Sequence, residues 1–416
     1  MTPDGSHTKH NRRLTSLDGL RALAALSVFL FHGWLYTMPV PDASDRSSVA
    51  DKVTHELRLG LVLFFVLTGF LLSRPWFAAA MAQCGPLDLR CFVRARAARI
   101  APAYYFALVG SIGLLWNLAG TPGVRLPPVS DLPLFLVFAQ NLEASSVMKL
   151  NPPMWTLAVE VSFYALLPAI GWLAYRLGPR KRTLALIPIA MLALGVLYNY
   201  AIAGRGLGMT FSKTLAAMLP YFALGMLAAL LTSLPAIRAL PGAWARRAMT
   251  ATGLALVAAD IAVKSGLQSV GLDPAPYFLV LRDLPSAAGF ALVIAAAAAT
   301  PRSRVLGARA LVAMGTVSYG FYLWHLPVLL FLRGHGLLPL DPLLGPLVAF
   351  GPAVAISALS WVAVERPVID WAKRRNAIAR AEERRRLVPK TANASGGGNG
   401  GVDRRSGGRE VSTVRA

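Results

Sequence analysis

Long apolar runs alternate with short polar connectors over most of the chain. Ten runs are legible, at about 17–36, 57–74, 98–119, 154–176, 184–202, 213–233, 249–265, 283–300, 311–332 and 343–364. A helix that crosses a bilayer core needs roughly 20 mostly apolar residues, and these runs are of that order. One further apolar stretch, 132–142, has only about 11 residues, too few to span. It ends in Gln140-Asn141 and reads as a half-buried or re-entrant segment. The pattern predicts an all-α polytopic membrane protein. It divides into a cytoplasmic N-terminal segment (1–13), a membrane domain (14–370) and a basic, largely disordered cytoplasmic tail (371–416).

Composition supports that class and excludes others. Of 416 residues, 55% are apolar and only 15% charged, against about 25% charged in ordinary soluble domains. The net charge of +22 does not point to nucleic acid, because the basic residues lie between runs that water would not solvate. Two cysteines, Cys84 and Cys91, are too few for a disulfide scaffold, and their spacing fits no zinc motif. No metal is expected.

Charge also orients the chain, because Lys and Arg concentrate in cytoplasmic segments. With the N-terminus inside, 31 of the 42 Lys and Arg fall on the cytoplasmic side and 10 outside, with Arg21 inside the first span. Counting 132–142 as a span would put the Arg176–Arg182 cluster outside. Both termini are therefore expected in the cytoplasm, in a cell membrane crossed many times. The first run is long and no small-residue cleavage site follows it closely, so it reads as a retained helix rather than a signal peptide. Past Trp371, residues 373–386 form a basic helical stretch suited to anionic headgroups, followed by a Gly-rich polar tail. The Asn393-Ala-Ser395 sequon lies inside on this topology, where glycosylation is not expected. Gly204-Arg-Gly-Leu-Gly lacks the spacing of a nucleotide loop.

Ionisable groups inside spans are costly, so each is a candidate for function. Arg21 and His32 share the first helix, about 16 Å apart along its axis. Glu160, in Trp155-Thr-Leu-Ala-Val-Glu160-Val-Ser-Phe-Tyr164, lies about 9 Å below the outer end of the fourth span. His325, in Ser318-Tyr-Gly-Phe-Tyr-Leu-Trp-His325, lies about 10 Å from the outer end of the ninth. Three ionisable side chains thus reach similar depth, which suits proton handling: an imidazole takes a proton while a carboxylate offsets the charge. The plainer alternatives are a histidine satisfied by a carbonyl, a structural ion pair for Glu160, and packing for His325. Arg96 and Arg99 share a helix face at the cytoplasmic start of the third span, a fork pair suited to phosphate oxygens. Ordinary positive-inside anchoring is the alternative there.

Taken together, these residues resemble the acyltransferase-3 family of integral membrane acyltransferases. The matching segments are Leu14-Thr-Ser-Leu-Asp18-Gly-Leu-Arg21 completed by His32, Phe64-Phe-Val-Leu-Thr68-Gly-Phe70, the Arg96/Arg99 pair, Trp155 to Tyr164, and Ser318 to His325 followed by Glu365-Arg-Pro367. Thr68 stands where the family usually has serine, so a hydroxyl is kept. The resemblance implies transfer of an acyl group, most simply acetyl, from acyl-coenzyme A to a hydroxyl of an envelope glycan, glycolipid or secreted metabolite. It implies His32 as base or transient acyl carrier with Glu160 as partner. Arg21, Arg96, Arg99, Asp18, Tyr164, Trp155, Thr68 and His325 would bind donor or acceptor. The bilayer and the acceptor are the expected partners, and nucleic acid is not. The competing class is a proton-coupled transporter of a small anionic or sugar-like solute, which also uses intramembrane His, Glu and Arg. Carriers often pair Gly/Pro-interrupted spans between two halves, and no such correspondence is visible here.

Overall fold

The computed structural model describes residues 15–38, 48–85, 87–203, 205, 208–233, 242–269, 281, 283–300 and 303–387. Residues 1–13, the sequon and the end of the tail lie outside the described residues. Ten helices occupy the ten apolar runs: α1 (Thr15–Thr37), α2 (Gly60–Ala82), α3 (Leu89–Leu115), α4 (Trp155–Leu177), α5 (Lys181–Ile202), α6 (Leu215–Thr232), α7 (Ala243–Ser269), α8 (Leu284–Ala298), α9 (Arg309–Gly334) and α10 (Leu344–Ser360). Through a π-helical turn, Trp361–Glu365, α10 runs on into α11 (Arg366–Leu387). Among the described residues there is no strand. Among the described residues, nine helical stretches are long and apolar enough to cross a membrane, and α8, at 15 residues, is a shorter apolar helix in the place of the eighth run. The protein is a multi-pass membrane protein.

The helices are apolar all round, so packing rather than amphipathicity selects their neighbours. Small residues allow close approach. A Cβ on Gly69 of α2 would strike the Phe222 carbonyl of α6, and one on Gly225 of α6 would strike the Val66 carbonyl. Gly253 of α7 and Gly289 of α8 stand in the same relation. These contacts, with that of α1 against α9, gather one buried core around Phe65, Phe70, Phe163 and Phe222 and another around Phe29, Phe321 and Leu329.

The 132–142 stretch does not span. It is a five-residue helix, Leu132–Leu136, and a 3-10 turn, Gln140–Leu142. Its end ties neighbouring segments together. The Gln140 amide donates to the Met154 carbonyl (2.9 Å), and Asn141 donates to those of Trp155 (2.9 Å) and Lys213 (2.7 Å). The stretch thereby fixes the beginning of α4 against the connector into α6. On the basic side, Asp88 caps α3 by accepting from the Arg90 and Cys91 amides. Asn376 of α11 ties that end down, accepting from Arg94 (2.9 Å) and donating to the Cys91 carbonyl (3.0 Å).

Candidate active site

Two cavities lie between α1, α2, α4 and α9, and both are bounded by Leu61 and Tyr322. The first, about 100 Å³, opens among the residues nearest the basic loops and is lined by Arg21, Arg96, Arg99, Thr68, Glu160 and Tyr164. The second, about 290 Å³, contains His32, Tyr36, Trp155, Arg58, Arg125 and Lys213 in its wall. We call them the inner and outer cavities. The Tyr322 hydroxyl pairs with Thr156 (3.0 Å) and reaches the Pro153 carbonyl (3.2 Å), which fixes the ring between them.

In the inner cavity, Tyr164 donates a short hydrogen bond to Glu160 one turn away on α4. Arg99, in the cavity wall, lies over the rings of Tyr319 (5.7 Å) and Trp361 (5.9 Å). Nε of Arg96 is buried with no hydrogen-bond partner among the described residues. A buried donor left unpaired is costly unless an acceptor arrives from outside the chain. Arg21 stands 3.8 Å from Asp18, itself on α1 and not in the cavity wall. Three guanidinium groups and one carboxylate line this cavity, with Asp18 beside Arg21.

The outer cavity is built on a histidine pair. His325, 1% exposed, places Nε2 3.0 Å from Nδ1 of His32. The expected partnership of His32 with Glu160 is not the one the fold makes. Glu160 projects among the arginines, and His32 meets His325 because α1 packs directly on α9. The equal depth estimated along the helix axes holds for the two histidines, but axial depth carries no lateral information.

If both rings are neutral, this geometry selects one pair of tautomers. Nδ1 of His325 is 3.1 Å from the Phe321 carbonyl, which only accepts, so Nδ1 carries the proton. Nε2 of His325 is then an acceptor, and Nδ1–H of His32 donates to it. The lone pair of His32 is left on Nε2, on a ring that lines the cavity.

One cluster has no counterpart in the candidates drawn from the sequence. Arg58 donates to both oxygens of Asp283 (2.9 Å each) and to Glu56 (3.0 and 3.3 Å). Lys264 binds Asp260 (2.8 Å) and, more closely, Asp283, while Ser286 donates to Asp260. Lys264 is buried inside α7 with 2% of its side chain exposed. Asp283 sits in the left-handed region (φ 64°), a conformation that aspartate tolerates better than most residues. The legible signal was Asp260 and Lys264 at i, i+4 within an apolar run, the spacing of a helical ion pair.

The acyltransferase-domain profile of the acyltransferase-3 family matches residues 14–362. The chain belongs to that family. It is 22% identical over 383 residues to O-acetyltransferase OatA of Staphylococcus aureus, a match covering 86% of this chain and 57% of that one. It is 27% identical over 206 residues to the putative peptidoglycan O-acetyltransferase YrhL of Bacillus subtilis (46% and 29% covered). It is 29% identical over 161 residues to acyltransferase MdmB of Streptomyces mycarofaciens (38% of each). The chain thus spans a little over half the length of the Staphylococcus relative. No solved structure matches it.

Proposed function

We propose that this membrane protein is an O-acyltransferase. An acyl group, acetyl in the simplest case, passes from acyl-coenzyme A in the inner cavity to a hydroxyl of an envelope glycan, glycolipid or secreted metabolite in the outer one. The observation that carries this reading is the pair of cavities meeting at Leu61 and Tyr322, one rich in arginine and one containing a base. The names of two of the relatives support an oxygen acceptor and an acetyl group.

Arg96 and Arg99 hold phosphate oxygens of the donor, and the unpaired Nε–H of Arg96 is an open donor for one of them. Arg21 lies deeper along α1 and, with Thr68 and Tyr164, orients the donor's thioester end. Nε2 of His32 takes the proton of the acceptor hydroxyl as its oxygen attacks the thioester carbonyl. The C–S bond then breaks, and the thiolate leaves with the proton carried by the imidazolium. His325 does not touch substrate; it is a positioning residue that keeps the lone pair of His32 on Nε2. Glu160 offsets the arginine charge instead of assisting the imidazole.

The test is transfer from radiolabelled acetyl-coenzyme A by purified protein into total envelope glycans, glycolipids and culture products. Comparison of a deletion strain with a complemented one by mass spectrometry then identifies the acceptor. We expect incorporation that is lost in His32→Ala and protected against by free coenzyme A only when Arg96 and Arg99 are present. Solute flux with no acyl incorporation in any pool would sink the transferase reading in favour of a carrier.

A further inference from the structure

Away from the inner and outer cavities, the side of the basic loops contains another, which no step of the transfer uses. It holds about 600 Å³ and is bounded by Arg246, Arg247, Thr250 and Leu254 of α7 and by Ser303 and Arg304 of the connector between α8 and α9. The α7 members recur at steps of three and four residues, so they form one stripe along that helix. The connector is held as a turn. The Leu306 amide donates to the Ser303 hydroxyl oxygen (3.1 Å) and the Gly307 amide to the Ser303 carbonyl (3.0 Å). Ser303 keeps its own O–H to donate.

Three guanidinium groups line this cavity, and among the described residues none of them makes a hydrogen bond, ion pair or ring contact. Two sit in the first turns of α7, which has no acidic residue in its first turn. The helix dipole favours anions at that end, so these arginines oppose it. An anion among them relieves both that opposition and their mutual repulsion. Positive-inside placement by itself spreads cations along a face and calls for no shared cavity. The surroundings are those of a bilayer surface. Trp244, beside the cavity, is 79% exposed, and tryptophan belongs at the headgroup level. The α7 helix is the least enclosed of the candidate spans. Leu254, 56% exposed, lies about 10 Å further along it than Arg247. We propose that this cavity binds an anionic phospholipid, its phosphate held by Arg246, Arg247 and Arg304 and an acyl chain lying along α7 past Leu254. The site does not depend on the transfer reaction.

The experiment is native mass spectrometry of the full-length protein in detergent, titrated with dioleoyl phosphatidylglycerol. Dioleoyl phosphatidylcholine shares the phosphate and both chains but is zwitterionic. Glycerol 3-phosphate and inorganic phosphate supply the anion without chains. The expected result is one phosphatidylglycerol bound at a concentration about tenfold or more below phosphatidylcholine, with neither soluble phosphate displacing it. Arg246→Gln, Arg247→Gln and Arg304→Gln should each weaken binding about fivefold, and all three together about a hundredfold. Lysine at the same three positions should retain most of the binding. The control combines Lys373→Gln, Arg374→Gln and Arg375→Gln on the exposed face of α11, which removes an equal charge and should leave binding unchanged. Each single glutamine variant is read as well, so the outcome does not depend on the triple variant folding.

Equal binding of phosphatidylcholine overturns the proposal, because the charge of the lipid then plays no part. Displacement by glycerol 3-phosphate or inorganic phosphate at the concentration of the lipid itself overturns it in favour of a soluble anion. An equal loss in the α11 control would mean general surface charge, and undiminished binding in the glutamine variants would mean another site. Either result overturns it too, as does a loss of equal size with lysine, where the charge is kept.

Discussion

The inner and outer cavities share Leu61 and Tyr322 but treat charge in opposite ways. Inside, three guanidinium groups face one carboxylate, and a buried Arg96 donor is left open. Outside, His32 meets His325, the charges of Arg58, Lys264 and Asp283 answer one another, and Arg125 and Lys213 also line the wall. An unmatched cation in a membrane domain is costly and makes sense where a ligand supplies the counter-charge. A base, by contrast, must be neutral before it can take a proton. On the proposed reading, the inner cavity would hold the donor by charge and the outer one would supply the base.

The largest effect expected is on the outer side. His32→Ala should lower kcat/KM about a thousandfold, within the range for removing a positioned base. His325→Ala should cost about a hundredfold by freeing the tautomer, and His325→Gln, whose amide oxygen can accept from Nδ1, should recover much of it. The pH–rate profile tells positioning from general damage: its acidic limb, where His32 becomes protonated, should move in His325→Ala and return in His325→Gln. An unchanged profile in both would remove the tautomer argument.

Next comes the ion network behind the outer wall. Lys264→Met leaves Asp260 and Asp283 without their shared cation, and breaking a buried pair costs about 3–5 kcal/mol. Thermal unfolding in detergent should show the loss, and a variant as stable as the parent would mean the network is dispensable. On the inner side, Arg96→Gln and Arg99→Gln should each raise the donor KM about ten- to hundredfold, the worth of a charged hydrogen bond, and leave the acceptor KM unchanged. A shift in the acceptor KM instead would invert the assignment of the cavities.

A smaller effect tests the partition itself. Tyr322→Ala should raise acceptor-independent hydrolysis of the donor about severalfold by admitting water, while Tyr322→Phe, which keeps the ring, should not. The smallest lies outside both cavities. The Leu344 and Leu343 amides hold the Asp341 carboxyl below its ordinary value of 3.8. Its contribution is therefore present above that pH and lost as pH falls through the lower, folded value. Asp341→Asn should abolish that slight acid sensitivity in a melting series.

Much of the fold was legible because it is local. Each apolar run is recorded in consecutive residues, and the shortfall of 132–142 was visible in its length. The outer end of that stretch, Gln140 and Asn141, also marked a place where amides have work, though which carbonyls they meet was not readable. Among site residues, Arg21, Arg96, Arg99, Glu160, Tyr164 and Thr68 come together in one cavity. Trp155 and His32 line the other, and His325 sits behind His32. Asp260 and Lys264 were missed because a short helical ion pair near a span's end reads as loop polarity.

By itself the sequence determined that the chain is helical and membrane-spanning, where its apolar helices lie and which side chains are too costly to be idle. Those follow from the length of each run and from the energy of burying a charge, all properties of one residue or one run. Only the tertiary structure decided who meets whom. His32 faces His325 and not Glu160, and Arg58 reaches Asp283 225 positions away. Lateral neighbours are set by where small residues such as Gly69, Gly225, Gly253 and Gly289 let helices touch. That choice depends on two surfaces at once, and no single stretch of sequence contains both.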